Sequence, residues 1–379
     1  MTATPTKAQT LYERLGVRPF INARGTITTL GGSIMAPEVM AAMAEAARQF
    51  VPLNELQEKA GERIAALTGA PAAFICAGAA SGMLLAGAAC LTGTDVEAIQ
   101  ALPNVGGRPN EFVISLVDGH TYIHQGFRVA GGELVKVGTR ESVTPEDYRS
   151  GISDRTAAVV FFLGSQPKEE LPAVVAIAHE RCVPVIVDAA AQLPPRANLT
   201  DLTAMGADLV VFSGGKGLRG PQCSGLILGR QDLVKACALN SNPYSALGRG
   251  MKVGKEEIAG LFTAVEIFLR QDEEAVIREW ERRCHTIAEA VRDIRGVRPQ
   301  YQAPFTNRFP PASPIVEIHF GPEAARTARE VHQALGNGDP SILAAAADNS
   351  LRFGPQTLQE GEAEIIAARL RTILGGVSG

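Results

Sequence analysis

Lys216 lies in Asp208-Leu-Val-Val-Phe-Ser-Gly-Gly-Lys-Gly-Leu-Arg-Gly-Pro221, where an apolar strand runs directly into a glycine-rich turn. Upstream by 28 residues, Val183-Pro-Val-Ile-Val-Asp-Ala-Ala-Ala191 reads as a second strand ending in Asp188. An amine delivered by a strand can form an imine with an aldehyde, and a carboxylate at a strand's end can hold a protonated ring nitrogen. Those are the two protein groups that pyridoxal phosphate most needs. A nucleotide-phosphate loop would require Gly in place of Val210 and Ser or Thr in place of Gly217, and the chain has neither. For the turn alone, a solvated surface lysine is the competing reading. The aspartate argues against it, because Val185-Ile186-Val187 has the composition of a strand buried on both faces. The carboxyl end of such a strand is where open α/β sheets bind ligands.

A third element, Phe74-Ile-Cys-Ala-Gly-Ala-Ala-Ser-Gly-Met-Leu-Leu-Ala86, passes from a short strand through a turn of small residues into an alanine-rich helix. Backbone amides at Gly78, Ala79, Ala80 and Ser81 are placed to cradle a phosphate; a small-residue packing interface is the other reading. The six cysteines show no Cys-x-x-Cys spacing, so no zinc site or disulfide framework is indicated. Cys223, seven residues after Lys216, reads as a packed thiol rather than a catalytic one. His120 and His124 have the spacing of a metal pair, but they follow a strand, and no metal is expected.

These residues need a scaffold, and the apolar runs supply one. Phe112 to Val117, Ala158 to Leu163, Val183 to Asp188, Leu209 to Ser213 and Gly225 to Leu228 have strand length and alternate with helix-like stretches, the pattern of a mostly parallel sheet covered by helices. Lys255 to Ile294 has apolar residues spaced three and four apart, which predicts one or two long amphipathic helices. Beyond it come Pro-rich loops, the strand Pro314 to Phe320 and a helix from Glu360 to Leu374. The expected organisation is an N-terminal segment (1–54) serving the active site and small domain, a large cofactor-binding domain (55–254), and a connecting helix with a small α+β domain (255–379). A length of 379 residues, 46% hydrophobic and 20% charged, fits a globular enzyme. A net charge of −4 without charge blocks predicts no nucleic-acid partner. With no signal-like N-terminus and no membrane-length apolar run, a cytoplasmic protein without membrane contact is expected.

The order of parts, small-residue turn, Asp-Ala-Ala-Ala, then Ser-Gly-Gly-Lys, resembles the aspartate-aminotransferase fold (fold type I) of pyridoxal phosphate enzymes, whose large domain has a seven-stranded sheet. Ile21-Asn-Ala-Arg-Gly-Thr26, Val129-Ala-Gly-Gly-Glu-Leu-Val-Lys-Val-Gly138 and Gly248-Arg-Gly-Met-Lys-Val-Gly-Lys-Glu256 narrow it to the branch of seryl-tRNA selenium transferases and D-glucosaminate-6-phosphate ammonia-lyases, nearer the latter. The resemblance implies that Lys216 forms the Schiff base with pyridoxal 5'-phosphate, that Asp188 pairs with its ring nitrogen and that Ala190 packs against the ring. Gly78, Ala79, Ala80, Ser81 and Ser213 would contact the phosphate. His120 falls where the family commonly places a residue over the cofactor's other face, although a hydrogen-bonded loop histidine is the alternative. Arg249 and Lys252 would reach the phosphate across a homodimer interface, or form a solvated surface cluster. Arg352 resembles the arginine that takes the substrate carboxylate; Asn22, Arg24 and Gln166 are further substrate candidates. The loop Phe162 to Glu170 lacks the Lys-Ser-His-His-like sequence associated with the sugar-phosphate enzymes, which points toward another substrate.

The expected reaction is therefore α,β-elimination from a hydroxylated amino acid or amino-sugar acid, giving a 2-keto acid and ammonia. Lys216 would act as base, and His120 or Lys216 would assist the departing hydroxyl. An aldolase or racemase of a small amino acid is the alternative enzyme, and a non-catalytic cofactor-binding regulator is the alternative outside catalysis.

Overall fold

The computed structural model describes residues 10–304 and 313–375. Strand β1 (Phe20–Asn22) belongs to a smaller unit, and the next seven strands form one sheet: β2 (Ala72–Cys76), β3 (Glu111–Ser115), β4 (Glu133–Val137), β5 (Thr156–Phe162), β6 (Val185–Asp188), β7 (Leu209–Ser213) and β8 (Gly225–Gly229). Their order is β2-β8-β7-β6-β5-β3-β4; β8 runs antiparallel to both neighbours and the other pairings are parallel. The expected parallel character holds, with β8 as the reversed strand.

Residue type explains the layering. Along β5, Val159 and Phe161 enter one core while Ala158, Val160 and Phe162 enter the other; Val210 and Phe212 of β7 likewise oppose Leu209 and Val211. Strands apolar at every position must be covered on both faces, and every residue of β5 is buried. Each fully buried Val, Leu, Ile or Phe contributes about 1.5–3 kcal/mol, so the central strands form a stiff platform whose carboxyl ends carry the polar residues.

The helix Ala79–Thr92 lies in one of these cores, and its small residues let it approach the sheet. A Cβ on Gly82 would come within 2.7 Å of Val211 Cγ1, and one on Gly87 within 2.7 Å of Phe127. The small-residue packing reading is thus true of the helix body, while its first turn remains free to serve a ligand.

The chain divides into two compact units, the larger comprising 26–273 and the smaller 10–25, 274–304 and 313–375 among the described residues. The boundaries differ from the expected breaks at 54/55 and 254/255. Helices Pro37–Ala46 and Lys255–Arg270 pack on one another, and the latter also packs on Leu53–Thr68, which draws both flanking segments into the large unit. In the small unit, β9 (Val297–Gln302), β10 (Ile315–Phe320), β12 (Ala345–Ala347) and β13 (Ser350–Phe353) form an antiparallel sheet ordered β12-β13-β10-β9, and β1 pairs in parallel with β11 (Ser341–Leu343). Its core includes Ile318, Leu351, Val331 and Ile366.

Candidate active site

Asp188 ends β6 between Phe162 of β5 and Val211 of β7. Its Oδ1 accepts the Ala190 N–H at 2.9 Å, which fixes the carboxylate at the strand's carboxyl end. Burial pushes the carboxyl above its ordinary range, against the Ala190 N–H and the Lys216 charge. A carboxylate so placed favours a cationic partner.

β7 leads through Ser213 into the lysine loop. The Gly214 N–H donates to Ser224 O at 2.8 Å, Gly220 N–H to Gly214 O at 2.8 Å, and Arg219 N–H to Lys216 O at 3.0 Å, so the loop closes on itself. Gly217 is required because a Cβ there would stand 2.1 Å from Leu193 O. Burial pushes the Lys216 ammonium below its ordinary range, and the Asp188 charge partly restores it. Residues 28–34 brace this loop: Ser33 Oγ donates to Gly215 O at 3.0 Å, Arg219 Nε to Ile34 O at 3.1 Å and Gln222 Nε2 to Thr28 O at 3.2 Å.

Both residues line a pocket of ≈150 Å³ with Asp118, His120, Tyr122, Ser165, Ala190 and Gln192. Asp118 and His120 follow β3, and His120 immediately precedes the helix Thr121–Val129. The His120 Nδ1 stands 2.5 Å from Asp118 Oδ1, a contact that pushes the imidazole above its ordinary range against the effect of burial.

The small-residue turn at Gly78, the candidate phosphate cradle, lies at the same sheet edge. Gly78 has φ +93°, which favours glycine, and precedes the helix Ala79–Thr92 with no side chain capping the first amides. Gly225 pairs with both Cys76 of β2 and Ser213 of β7, and a Cβ on it would lie 2.6 Å from the Gly78 carbonyl carbon and 2.9 Å from Ala79 N. The turn and Ser213 are therefore gathered around one glycine. Uncapped helix amides, a carboxylate short of positive charge and a desolvated lysine suit the phosphate, ring nitrogen and aldehyde of pyridoxal phosphate respectively. Ser81 Oγ contacts Met251 Sδ at 3.3 Å.

The other expected residues are not among those lining this pocket. Gln166 is buried, its Oε1 accepting from Tyr148 Oη at 2.7 Å and Phe162 N–H at 3.3 Å, where it ties the end of β5 to the helix Pro145–Gly151. Gln192, which sequence reasoning missed, lines the pocket instead. Arg249 is exposed and donates to Asn242 Oδ1 at 2.9 Å, and Lys252 is exposed. In the small unit, Asn22 spends its side chain on its own loop, bonding Gly25 O at 3.0 Å and Arg24 N–H at 2.9 Å, while Arg24 is exposed. Arg352 pairs with Glu317 at 3.2 Å, its cross-strand neighbour. Cys223 is exposed, 4.0 Å from Glu257 Oε1, and does not line the pocket. Among the described residues no group of three His, Cys, Asp or Glu is arranged to hold a metal, and no helix is long and apolar enough to cross a membrane.

Residues 20–280 match the family described as SelA, L-seryl-tRNA selenium transferase. The chain belongs to this family. It is 35% identical to the 5'-C-glycyluridine monooxygenase-decarboxylase of a Streptomyces species, over 96% of this chain and 92% of the relative. It is 32% identical to the D-glucosaminate-6-phosphate ammonia lyase of Salmonella typhimurium, over 96% and 97%. A solved structure of D-glucosaminate-6-phosphate ammonia-lyase superposes with a TM-score of 0.82 at 30% identity, covering 98% of this chain and all of that one. The family and its structural neighbours are fold-type I enzymes dependent on pyridoxal phosphate, and this chain is such an enzyme.

Proposed function

We propose that this enzyme is a lyase that removes the β-hydroxyl and then the amino group of a hydroxylated amino acid or amino-sugar acid. The observation that carries the reading is the meeting of Lys216, Asp188 and His120 in one pocket at the sheet's carboxyl edge, in a chain 32% identical to an enzyme named as an ammonia lyase. Bound pyridoxal phosphate supplies an electron sink for the pair released at the substrate's α-carbon. Lys216 Nζ would hold the cofactor through its aldehyde carbon and, when free, would take the α-proton, a role that its lowered basicity favours. Asp188 holds the proton on the ring nitrogen, and the amides of Ala79, Ala80 and Ser81 with Ser213 hold the phosphate. The released enamine takes up water to give the 2-keto acid and ammonia. Arg352 stands as the candidate for the substrate carboxylate, Asn22 and Arg24 as further substrate candidates, and Arg249 and Lys252 for phosphate contacts from a second subunit.

Borohydride reduction followed by peptide mapping tests the anchor: a cofactor-mass adduct on Lys216 is expected, and no adduct after incubation with excess pyridoxal phosphate overturns the reading. Release of ammonia and keto acid from a panel of D- and L-hydroxyamino acids, with D-glucosaminate 6-phosphate included, then tests the reaction. A second reading, oxidative decarboxylation, is favoured by the 35% identity to a monooxygenase-decarboxylase; oxygen uptake with carbon dioxide release and no ammonia would select it.

A further inference from the structure

The mechanism above leaves a buried charge without a task. The Asp118 side chain is 1% exposed and is approached by two imidazoles: His120, 58% exposed, at 2.5 Å from Oδ1, and His124, 7% exposed, at 3.9 Å from Oδ2. Oδ2 also accepts the His120 backbone N–H at 2.8 Å, so both carboxylate oxygens engage His120. Behind them, His124 Nε2 is buried with no hydrogen-bond partner, its ring against Phe162 at 6.1 Å. Burial depresses the His124 imidazole, with Lys136 and Arg128 adding to the effect and Asp118 opposing it. His124 therefore closes the rear of the carboxylate as a neutral ring, leaving the negative charge to His120. From the pocket side, His120 faces Tyr122, Asp188 and Lys216.

We propose that Asp118 is a positioning residue that holds His120 through Nδ1, so that His120 Nε2–H points to the pocket and serves as a proton donor separate from Lys216. This rests on the elimination reading for its role in turnover. Lys216 Nζ takes the α-proton in a first step and the C–H pair would be held by the electron sink that bound pyridoxal phosphate supplies, so that exchange with solvent can precede elimination; in a second step that pair becomes the new Cα–Cβ π bond. The Cβ–O bond breaks with its pair going to oxygen, and that oxygen takes the His120 Nε2 proton and leaves as water. His120 remains neutral with Nδ1–H toward Asp118. Two donors of opposite bias, a lysine pushed down and a histidine pushed up, let one site run base and acid chemistry at the same pH.

The test uses Asp118→Asn in the full-length protein, with and without cofactor. The NMR titration of the His120 ring is expected to move to lower pH in both forms. Ammonia release from a hydroxyamino acid substrate is expected to fall about 10²-fold, while α-proton exchange with solvent deuterium, the Lys216 step, stays within a few-fold of wild type. His120→Gln, which removes the donor itself, is expected to lower ammonia release at least as far as Asp118→Asn. An unshifted His120 titration overturns the proposal, as does an equal loss of exchange and release. If the wild-type protein frees no ammonia from any substrate, the elimination reading fails instead, and the His120 titration still decides whether Asp118 positions the ring.

Discussion

At the scale of single residues, the site is assembled from groups that the folded chain holds at a cost. The Lys216 amine is pushed below its ordinary 10.5 by burial. The native state therefore binds fewer protons than the unfolded chain between that lowered value and 10.5, and stability rises with pH across this window. The Asp188 carboxyl is pushed above its ordinary 3.8, so what it contributes at low pH is lost as pH rises through the folded value. In both cases burial makes the charged form the costly one for the fold. Asp188→Asn preserves an acceptor for the Ala190 N–H and removes the buried charge, so the cofactor-free variant is expected to melt at a higher temperature than wild type. If Asp188 holds the ring-nitrogen proton as proposed, the same variant is expected to lose about 10²-fold or more in turnover. Calorimetry of the cofactor-free protein beside a rate measurement checks both halves; a lower melting temperature would contradict the assignment of burial as the dominant influence on Asp188.

At the scale of elements, precision resides in how closely β8 and the helix Ala79–Thr92 approach each other. Gly225→Ala places a methyl within 2.6 Å of the Gly78 carbonyl carbon and 2.9 Å of Ala79 N, so the phosphate turn must shift. Overpacking of this kind costs about 1–3 kcal/mol. A displaced helix start is also expected to weaken cofactor binding by about tenfold, since each 1.4 kcal/mol is a factor of ten. Denaturant melts and a spectroscopic titration with pyridoxal phosphate measure the two effects. Much of this architecture was legible beforehand. The runs ending in Asp188 and Ser213 are apolar at consecutive positions, which only a strand covered on both faces tolerates, and their polar ends then had to meet at one edge. β4 was less visible as a strand because Glu133 and Lys136 break its apolar run and it lies at the sheet's edge. The tasks of Gln166 and Gln192 were illegible for another reason. Two amides in neighbouring loops carry no periodic signal, and only the folded chain shows that Tyr148 takes one while the pocket receives the other. Asp118 was equally hidden, since its meaning lies in the contact with His120 and not in its spacing.

At the scale of the whole molecule, the question is whether one chain completes a site. Arg249 and Lys252 are exposed and absent from the lining of the pocket that holds Lys216, yet they follow the lysine loop in a segment bound to the cofactor-turn helix through Asn240 Nδ2 and Thr92 Oγ1 at 3.0 Å. If these cations complete the phosphate site of a second subunit, as proposed, the two halves of a site can be inactivated separately. Lys216→Ala abolishes the site that uses its own lysine, and Arg249→Ala combined with Lys252→Ala damages the site of its neighbour. Mixing the two inactive proteins under conditions of subunit exchange yields heterodimers in which one site has both defects and the other has neither. With random re-association half of the dimers are mixed, so activity is expected to return to roughly a quarter of wild type. The recovery should track heterodimer formation seen with differently tagged chains. Heterodimers that form without any return of activity would place the two cations in the site of their own chain, or outside the site altogether.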